Sequence, residues 1–451
     1  MDCFLKIKQQ YQSKRILILG LGIQGGGLTA LDFFYKLGCP IKVSDNKNKQ
    51  QLSHSLKLLK SYSNIDYEFE KHSEEFVRWC QVIVRNPGIP FNSPVLRLAR
   101  KLKKEIIMPS AFFLSHCQTH TIGITGTRGK STTTNLIYQT LKHNLTQEVS
   151  LAGNLPQYSA FKLIAHCQKQ DYTVLELSSW ELQACREQKV SPNIAVLTNI
   201  YPDHLNSYSG MADYINDKMQ IFANQKPEDY LVTLEATYKQ YQSEIDKYLC
   251  SKLILVKNNY YNKGFKYLIG QHNQENASLA LKVGELVGIT KAKIEPVIRD
   301  FPGLAFRLEF LGTLQQSPFY NDSTSTTPVA GIKAMEAIST EFPNKKIILV
   351  IGGKDKNLPF DQWLTLVNQV PDQIFMLPGS FSDLVEKKIR KKLTLVEDFK
   401  ALFAKLLPLL NSQTIVLFSP SATSFATFNN EFDRGEQFSS HFKRCQKEYG
   451  A

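Results

Sequence analysis

No apolar run in this 451-residue sequence reaches the roughly 18 residues that a membrane-spanning helix requires. The first residues, MDCFLKIKQQYQSKR, also lack the continuous apolar stretch and small-residue cleavage site of a signal peptide. We therefore expect no membrane span, no signal peptide and a cytoplasmic location.

Closely spaced cysteine pairs are absent as well. The eight cysteines stand at positions 3, 39, 80, 117, 167, 185, 250 and 445, and none forms a Cys-x-x-Cys pair. Such pairs are typical of zinc sites, and regular spacings are typical of disulfide frameworks. We therefore expect neither, and we expect the thiols to stay reduced.

Positive charge is plentiful but not concentrated. The formal net charge is +13, and the densest basic run is KKIRKK at 387–392. A run of this kind usually marks one solvated helix face or helix end. Because no nucleic-acid-binding module accompanies it, we expect no nucleic-acid partner, although a positive surface suits anionic phosphate substrates.

Apolar runs of strand length alternate with helical patterns along the whole chain. The length suggests about three domains. We predict an α/β protein with three domains at 1–112, 113–306 and 307–451. Each is expected to hold a mainly parallel sheet flanked by helices: Rossmann-like at both ends and P-loop ATPase-like in the centre.

The first unit carries a glycine turn between two predicted strands. KRILILG ends at Gly20, GLGIQG occupies 20–25, a helical pattern follows, and the next apolar stretch ends at Asp45. Strand, glycine turn, helix, strand and an acidic residue about twenty positions on form a dinucleotide-binding fingerprint. Taken alone, this order predicts NAD.

The central unit begins with a second glycine-rich loop, GTRGKS at 126–131, between the β-like TIGIT and a helical stretch. Backbone N–H groups of such a loop and the start of its helix hold phosphate oxygens. Lys130 would neutralise the phosphates, and Ser131 would bind Mg²⁺. The usual spacing places a further glycine where Ile124 stands, so a glycine turn with a chance Gly-Lys-Ser is the alternative.

Two buried-strand patterns of the central unit end in polar residues. YTVLELSS spans 172–179 and NIAVLTNI spans 193–200. Ligands bind at the carboxyl ends of parallel strands, so Glu176 is a candidate Mg²⁺ ligand beside Ser131. His204 follows the second strand, with Asp203 beside it as a weaker candidate. Glu176 could equally be an ordinary strand-end acid, and a lone histidine such as His204 is more often structural.

An ordered set of motifs covering nearly the whole chain resembles the Mur ligase family. Besides GTRGKS, the set comprises ELSS at 176–179, NIYPDH at 199–204, a lysine-bearing helix at 213–221, HNxxN at 272–276, FRLE at 306–309, NDSTSTT at 321–327, GGKDK at 352–356 and SPSATSF at 419–425. The resemblance implies an ATP- and Mg²⁺-dependent amide ligase that works through an acyl phosphate.

The resemblance points most closely to the glutamate-adding member of the family. It implies addition of D-glutamate to UDP-N-acetylmuramoyl-L-alanine in peptidoglycan precursor synthesis by a monomer. The first domain would then bind the UDP moiety of the substrate rather than NAD, the central domain ATP, and the third domain the amino acid.

The same resemblance implies roles residue by residue. The catalytic set would be Lys130, Glu176, His204, Lys218 and Arg307. ATP would contact Gly126, Thr127, Gly129, Lys130, Ser131, Thr132, Asn273, Asn276, Arg307 and Asp322. Mg²⁺ would be bound by Ser131, Glu176, His204 and Lys218, the last after carbamylation, although a lysine on a helix is by default a surface residue. Substrates would contact Ile23, Gln24, Asp45, Asn154, Ser178, Thr326, Lys356, Ser424 and Phe432.

Residues at the predicted amino-acid site partly match and partly depart from the pattern of the glutamate-adding member. Thr326, Lys356 and Ser424 match the D-glutamate positions, and no D-[ND]-P-R signature of the diaminopimelate- or lysine-adding member is present. However, Glu431 stands where an aromatic side chain is common, with Phe432 next to it. Thr324 and Ser207 replace a lysine and an arginine.

Other classes of protein remain as alternatives. A Mur-type ligase for another amino acid, such as L-glutamate, would keep the same loop and metal residues. A folylpolyglutamate synthase would lack the first domain. A non-catalytic nucleotide-binding paralogue would be expected to lose Lys130, Glu176, His204 or Lys218, and an NAD-dependent oxidoreductase would leave the loop at 126–131 unexplained.

Overall fold

The computed structural model describes residues 3–22, 26–154, 158–203, 208–424 and 428–449, without the side chain of His54. The chain divides into two compact units, residues 1–261 with 276–297 and residues 262–275 with 298–451. No helix in the described ranges is long and apolar enough to cross a bilayer.

The first sheet is five-stranded and entirely parallel, in the order β3-β2-β1-β4-β5. Its strands are β1 (Ile16–Leu19), β2 (Ile41–Asp45), β3 (Ile65–Phe69), β4 (Val82–Arg85) and β5 (Glu105–Ile107). Its helices are α1 (Cys3–Tyr11), α2 (Gly26–Lys36), α3 (Ser53–Leu58), α4 (Glu74–Trp79), α5 (Pro94–Lys101) and α6 (Pro109–His116).

The second sheet is six-stranded and also parallel, in the order β11-β10-β9-β6-β8-β7. Its strands are β6 (His120–Thr125), β7 (Val149–Gly153), β8 (Tyr172–Glu176), β9 (Ile194–Leu197), β10 (Tyr230–Leu234) and β11 (Lys252–Val256). Helices of this part of the chain are α7 (Lys130–Asn144), α8 (Ser179–Gln188), α9 (Met211–Met219), α10 (Glu235–Gln240), α11 (Gln242–Asp246), α12 (Gln271–Leu286) and α13 (Lys291–Arg299).

The third sheet belongs to the second unit and has the order β12-β13-β17-β14-β15-β16. Only the β12–β13 pair is antiparallel. The strands are β12 (Glu309–Leu314), β13 (Ser317–Asn321), β14 (Lys346–Ile351), β15 (Gln373–Met376), β16 (Lys392–Leu395) and β17 (Thr414–Phe418). The helices are α14 (Pro328–Glu341), α15 (Asp361–Val367), α16 (Ser380–Val385), α17 (Phe399–Leu406) and α18 (Glu431–Tyr449).

Central strands of all three sheets are buried along their whole length. This holds for β1 (ILIL), β4 (VIVR), β9 (IAVL) and β17 (TIVLF). A strand covered by helices on both faces needs apolar, mostly β-branched residues at every position rather than at alternate ones. The predicted α/β fold class with three mainly parallel sheets is confirmed, while the exact boundaries at 112/113 and 306/307 stay predictions.

The first two sheets share one hydrophobic core. Phe33 of α2 stacks on Phe161, which lies in a short 3₁₀ helix of the central region, with ring centroids 4.9 Å apart. Phe34 and Phe112 of α6 complete this aromatic cluster. Buried aromatic pairs of this kind add to the area that they remove from water, so the cluster holds the two sheets in one unit.

Candidate active site

The glycine-rich loop at 126–129 connects β6 to α7, as predicted. Gly126 and Gly129 have φ angles of 150° and 79°, in the region that L side chains rarely adopt. A Cβ on Gly126 would lie 1.9 Å from Thr198 Oγ1, and one on Gly129 would lie 2.2 Å from Asn276 Oδ1. Both positions therefore require glycine, and the loop delivers its N–H groups to the start of a 15-residue helix.

Asn199 anchors this loop from the end of the neighbouring strand β9. The Thr127 N–H donates to the Asn199 carbonyl at 2.8 Å, and the Arg128 N–H donates to Asn199 Oδ1 at 2.9 Å. The Asn199 amide in turn donates to the Arg128 carbonyl at 3.1 Å. Asn199 had no predicted role of its own, although the motif NIYPDH that contains it was a signal in the sequence.

Two lysine side chains converge on one backbone carbonyl of the loop. Lys130 Nζ donates to the Gly126 and Thr127 carbonyls, at 3.1 Å each. Lys218 Nζ, from α9, donates to the same Gly126 carbonyl at 2.8 Å. The loop thus brings together two residues that the sequence separates by 88 positions (218 minus 130).

Lys218 is buried, with 1% of its surface exposed, so reading it as a surface lysine would be wrong. Burial lowers the pKa of Lys218 well below its ordinary value, and the nearby Lys130 lowers it further. Asp203 and Asp217 act in the opposite direction. Because desolvation disfavours the charged form, burial shifts the equilibrium at this position from the ammonium ion toward the neutral amine.

Glu176 lies at the carboxyl end of β8, which pairs with β6 just before the loop. The side chain is 3% exposed, and no described residue donates a hydrogen bond to its Oε2. A buried carboxylate oxygen without a donor is costly unless a cation compensates it. Since Mg²⁺ prefers oxygen ligands, Glu176 and the nearly buried Ser131 at the start of α7 fit a magnesium site.

Other predicted residues of the central region occupy the same sheet edge. Asn154 follows β7, and its N–H donates to the Glu176 carbonyl at 2.8 Å. Ser178 caps α8 by accepting from the Glu181 N–H, while the Glu181 carboxylate accepts from the Ser178 N–H. His204 lies outside the described residues, so its predicted metal role is not tested here.

The Asp45 carboxylate accepts hydrogen bonds from backbone N–H groups in the first sheet's loops. Its Oδ2 accepts from the N–H groups of Leu21 and Gly22 at 2.8 and 3.2 Å, and its Oδ1 accepts from Lys47 N–H at 2.9 Å. The carboxylate therefore braces the glycine turn. Ile23 and Gln24, the other predicted contacts of this turn, lie outside the described residues.

Predicted nucleotide-binding side chains are held in place by neighbours within their own units. Thr133 Oγ1 donates to the buried Asn276 Oδ1 at 3.2 Å in the first unit. In the second, Asn273 Nδ2 donates to the Ile269 carbonyl at 2.8 Å. Asp322 accepts from Leu308 N–H at 3.2 Å and from Ser419 Oγ at 2.9 Å.

Loops at the carboxyl ends of β13, β14 and β17 bring the predicted glutamate contacts together in the second unit. Lys356 Nζ donates to Thr326 Oγ1 at 3.5 Å. A single bridge between Lys354 and Thr423 joins the loop of Lys356 to the loop of Ser424. Ser424 Oγ is buried and has no hydrogen-bond partner among the residues that the structure describes.

Arg434 holds this group of loops in place and was missed by the sequence analysis. Its guanidinium donates to Ser323 Oγ at 3.1 Å, to the Ser323 carbonyl at 2.6 Å and to the Ala422 carbonyl at 3.0 Å. Burial lowers the pKa of Arg434 to about 10. An arginine inside a helix carries no motif, so nothing in the sequence identified it.

At the start of α18, Glu431 is held through its backbone, whereas Phe432 makes a contact through its ring. Glu431 is half-buried, and its backbone carbonyl accepts from Ser323 Oγ at 2.7 Å. The Phe432 ring lies edge-on to Phe306, with centroids 6.4 Å apart. Phe306 and Leu308, on either side of Arg307, have φ angles of 63° and 47°. Such strained backbone persists where its surroundings over-determine it.

Comparisons with known proteins identify relatives of the whole chain. The Mur ligase middle domain matches residues 124–266, and the Mur ligase MurD-like N-terminal domain matches residues 14–108. A UDP-N-acetylmuramoylalanine–D-glutamate ligase of Borreliella afzelii is 31% identical over 453 residues, which cover 95% of this chain and 97% of that protein. The enzyme of the same name from Aquifex aeolicus is 33% identical over 405 residues, or 85% and 94% of the two chains.

Solved structures share the fold at low sequence identity. The UDP-N-acetylmuramate–alanine ligase MurC of Thermotoga maritima has a TM-score of 0.62 at 18% identity and covers 96% of this chain and 99% of its own. The MurF ligase of the same organism in complex with ADP has a TM-score of 0.61 at 18% identity, with 98% and 97% covered. The chain belongs to the Mur ligase family.

Gly129→Ala should lower the affinity for ATP by about tenfold or more. The left-handed backbone costs a non-glycine residue roughly 1–2 kcal/mol, and the added Cβ would also collide with Asn276. Isothermal titration calorimetry with a non-hydrolysable ATP analogue would measure the change. Gly264→Ala is the matched control, since a Cβ there would meet no atom within 4 Å, and equal affinities for both variants would contradict the prediction.

Proposed function

We propose that this chain is an ATP-dependent ligase that adds D-glutamate to UDP-N-acetylmuramoyl-L-alanine and releases ADP and phosphate, a step of peptidoglycan precursor synthesis. Relatives that carry this name align with 95% of the chain. The observation that carries the proposal is the convergence of Lys130 and the buried Lys218 on the Gly126 carbonyl.

The chemistry starts from a carboxylate, which is a poor electrophile. An oxygen of the alanine carboxylate attacks the γ-phosphorus of ATP, the bond to ADP breaks, and an acyl phosphate forms. The amine of the amino acid then attacks the acyl carbon, inorganic phosphate leaves, and the nitrogen gives up a proton. Anionic groups must approach one another in the first step, so positioned cations lower its barrier most.

Residues of the central region suit this demand. The N–H groups of the loop at 126–129 and the Lys130 ammonium would hold the phosphate oxygens. Mg²⁺, held by Ser131, Glu176 and the side chain of Lys218 in its carbamylated form, would supply further neutralising charge. His204 is proposed as a ligand on the family resemblance alone.

The environment of Lys218 supports its carbamylation. Only a neutral amine attacks CO₂, and burial with the nearby Lys130 charge favours the neutral amine here. The new N–C bond forms as one proton leaves, which converts the side chain into an anion. The nitrogen keeps one N–H, so the hydrogen bond to the Gly126 carbonyl can persist, and Lys130 and Arg128 would compensate the new negative charge.

The loops of the second unit support glutamate as the added amino acid. Lys356 would pair with its side-chain carboxylate, Thr326 and Ser424 would donate hydroxyl hydrogen bonds, and Phe432 would form an apolar wall. Glu431 favours a second candidate, a ligase for another amino acid such as L-glutamate. Its backbone carbonyl is tied to Ser323, however, and the adjacent Phe432 supplies the aromatic ring.

The remaining assignments are proposals of the same kind. They comprise the three domains at 1–112, 113–306 and 307–451, a cytoplasmic monomer, the UDP-substrate contacts Ile23, Gln24, Asp45, Asn154 and Ser178, and the ATP contacts Thr127, Thr132, Asn273, Asn276, Arg307 and Asp322. For Asp45, the backbone hydrogen bonds favour an indirect role, in which it shapes the glycine turn that meets the substrate.

Offered separately with ATP, Mg²⁺ and UDP-N-acetylmuramoyl-L-alanine, D-glutamate should support phosphate release, and L-glutamate and other amino acids should not. Product mass would identify the amide. Product formed only with another amino acid would retain the ligase class and refute D-glutamate.

In Lys356→Ala, the KM for D-glutamate should rise by about tenfold or more, because a charged hydrogen-bonding partner is lost.

Lys130→Ala should lower ligation by at least about a hundredfold, because a cation beside the transferred phosphoryl group is lost. Turnover and the circular dichroism spectrum should be measured together, with the spectrum unchanged. Lys142→Ala, a change at an exposed position of the same helix α7, is the control. Near-normal turnover of Lys130→Ala would refute the phosphate-loop assignment.

Lys218→Ala should be nearly inactive, and added acetate or formate should restore part of the activity by standing in for the carbamate. In the protein without the substitution, methylation in bicarbonate should trap the carbamate as its methyl ester, so Lys218 should gain the mass of a methoxycarbonyl group. Lys239→Ala, at an exposed position of α10, is the control. Full activity of Lys218→Ala without any added carboxylate would rule out the carbamate role.

A further inference from the structure

Three of the eight cysteines lie together in the first unit, and none of them belongs to the residues predicted for the ligase reaction. Cys3 begins α1, Cys117 follows α6, and Cys167 lies in the turn after the 3₁₀ helix at 160–162. Their three Sγ atoms all lie within 4.8 Å of one another, and those of Cys3 and Cys117 are 3.1 Å apart. Within the described residues, no other three Cys, His, Asp or Glu side chains meet this criterion.

We propose that Cys3, Cys117 and Cys167 form a binding site for one thiophilic metal ion, Zn²⁺ or Cu⁺, separate from the ligase chemistry. A metal–sulfur bond of about 2.3 Å places sulfurs around one ion about 3.8–4.0 Å apart. The Sγ atoms of Cys3 and Cys117 are closer together than this, at 3.1 Å, and the other two Sγ–Sγ distances are at most 4.8 Å. Side-chain adjustments of about 1 Å or less therefore suffice to bind an ion.

The composition of the cluster selects the kind of ion. All three donors are thiols, with no carboxylate or imidazole in the group. Soft thiolate ligands select Cu⁺ and Zn²⁺, whereas Mg²⁺ requires oxygen ligands. The Mg²⁺ that serves the proposed ligase reaction would therefore not compete for this site.

The surroundings make the cluster a defined site that an ion can reach. Cys117 is buried, whereas Cys3 and Cys167 are half-buried and pack against the hydrophobic core. The Cys3 thiol donates to the His116 carbonyl at 3.3 Å, which holds the start of α1 against the end of α6. His116 does not belong to the group of donor atoms that lie within 4.8 Å of one another, so a fourth ligand of Zn²⁺ would be water.

A bound ion would connect three separate parts of the chain. These are the N-terminal helix, the segment between the first two sheets, and the turn after the 3₁₀ helix of the central region. A ligand that binds only the folded state stabilises it in proportion to the logarithm of its concentration over its Kd. We therefore expect the melting temperature to rise with the metal, independently of catalysis.

The full-length protein, stripped of metal and reduced with a phosphine, should be titrated with Co²⁺ as a spectroscopic substitute for Zn²⁺ and, separately, with Cu⁺ against a chromogenic chelator. We expect one equivalent of at least one of the two ions to bind per chain. If the site binds Zn²⁺, the Co²⁺ titration should show thiolate-to-Co²⁺ charge-transfer absorption. Cys3→Ser and Cys167→Ser should each weaken binding by at least about tenfold, as loss of one ligand implies. The triple variant with Cys117→Ser should not bind.

Two matched variants keep the cluster intact. Cys250→Ser changes an exposed cysteine and Cys185→Ser a buried one, and both should bind as the unmodified protein does. Circular dichroism would show whether the triple variant folds; if it does not, the two half-buried single variants decide. Full stoichiometry in a folded triple variant, unchanged affinity in both single variants, or no binding of either ion by the reduced protein would overturn the proposal.

Discussion

The Gly126 carbonyl is the point on which the proposed active site depends. It accepts hydrogen bonds from Lys130, which starts α7, and from the buried Lys218 of α9. The second contact holds a buried amine whose pKa is lowered by desolvation, which shifts its equilibrium toward the neutral form. One backbone oxygen thus positions both the cation expected to meet phosphate and the amine expected to become an anion.

The parallel sheet brings the residues of the proposed active site to one edge. The loop after β6, Glu176 at the end of β8 and Asn199 after β9 come from three adjacent strands, so their positions follow from the register of the sheet. The shared aromatic core around Phe33 and Phe161 then joins the first sheet to this one without any contribution from the ligand-binding residues. Stability and chemistry are therefore carried by different parts of the same unit.

In the second unit, the buried guanidinium of Arg434 holds the loops in position. Arg434 donates to the loops of Ser323 and Ala422, and those loops carry the residues proposed to hold the amino acid. Removing one partner of such a buried, hydrogen-bonded charge is costly, so the loops are held firmly. Ser323 Oγ also donates to the backbone carbonyl of Glu431, so the start of α18 is tied to the same loop.

Local patterns in the sequence determined the α/β fold class, the glycine-rich loop and the strand-end position of Glu176, because these depend on periodicity and on residues that are neighbours in the chain. The sequence did not reveal that Lys218 is buried, that Asp45 braces a turn, that Arg434 joins its helix to two loops, or that Cys3 and Cys117 touch. Each of these depends on contacts between residues far apart in the sequence. Burial and distance are properties of the packed chain, so only the tertiary structure decided them.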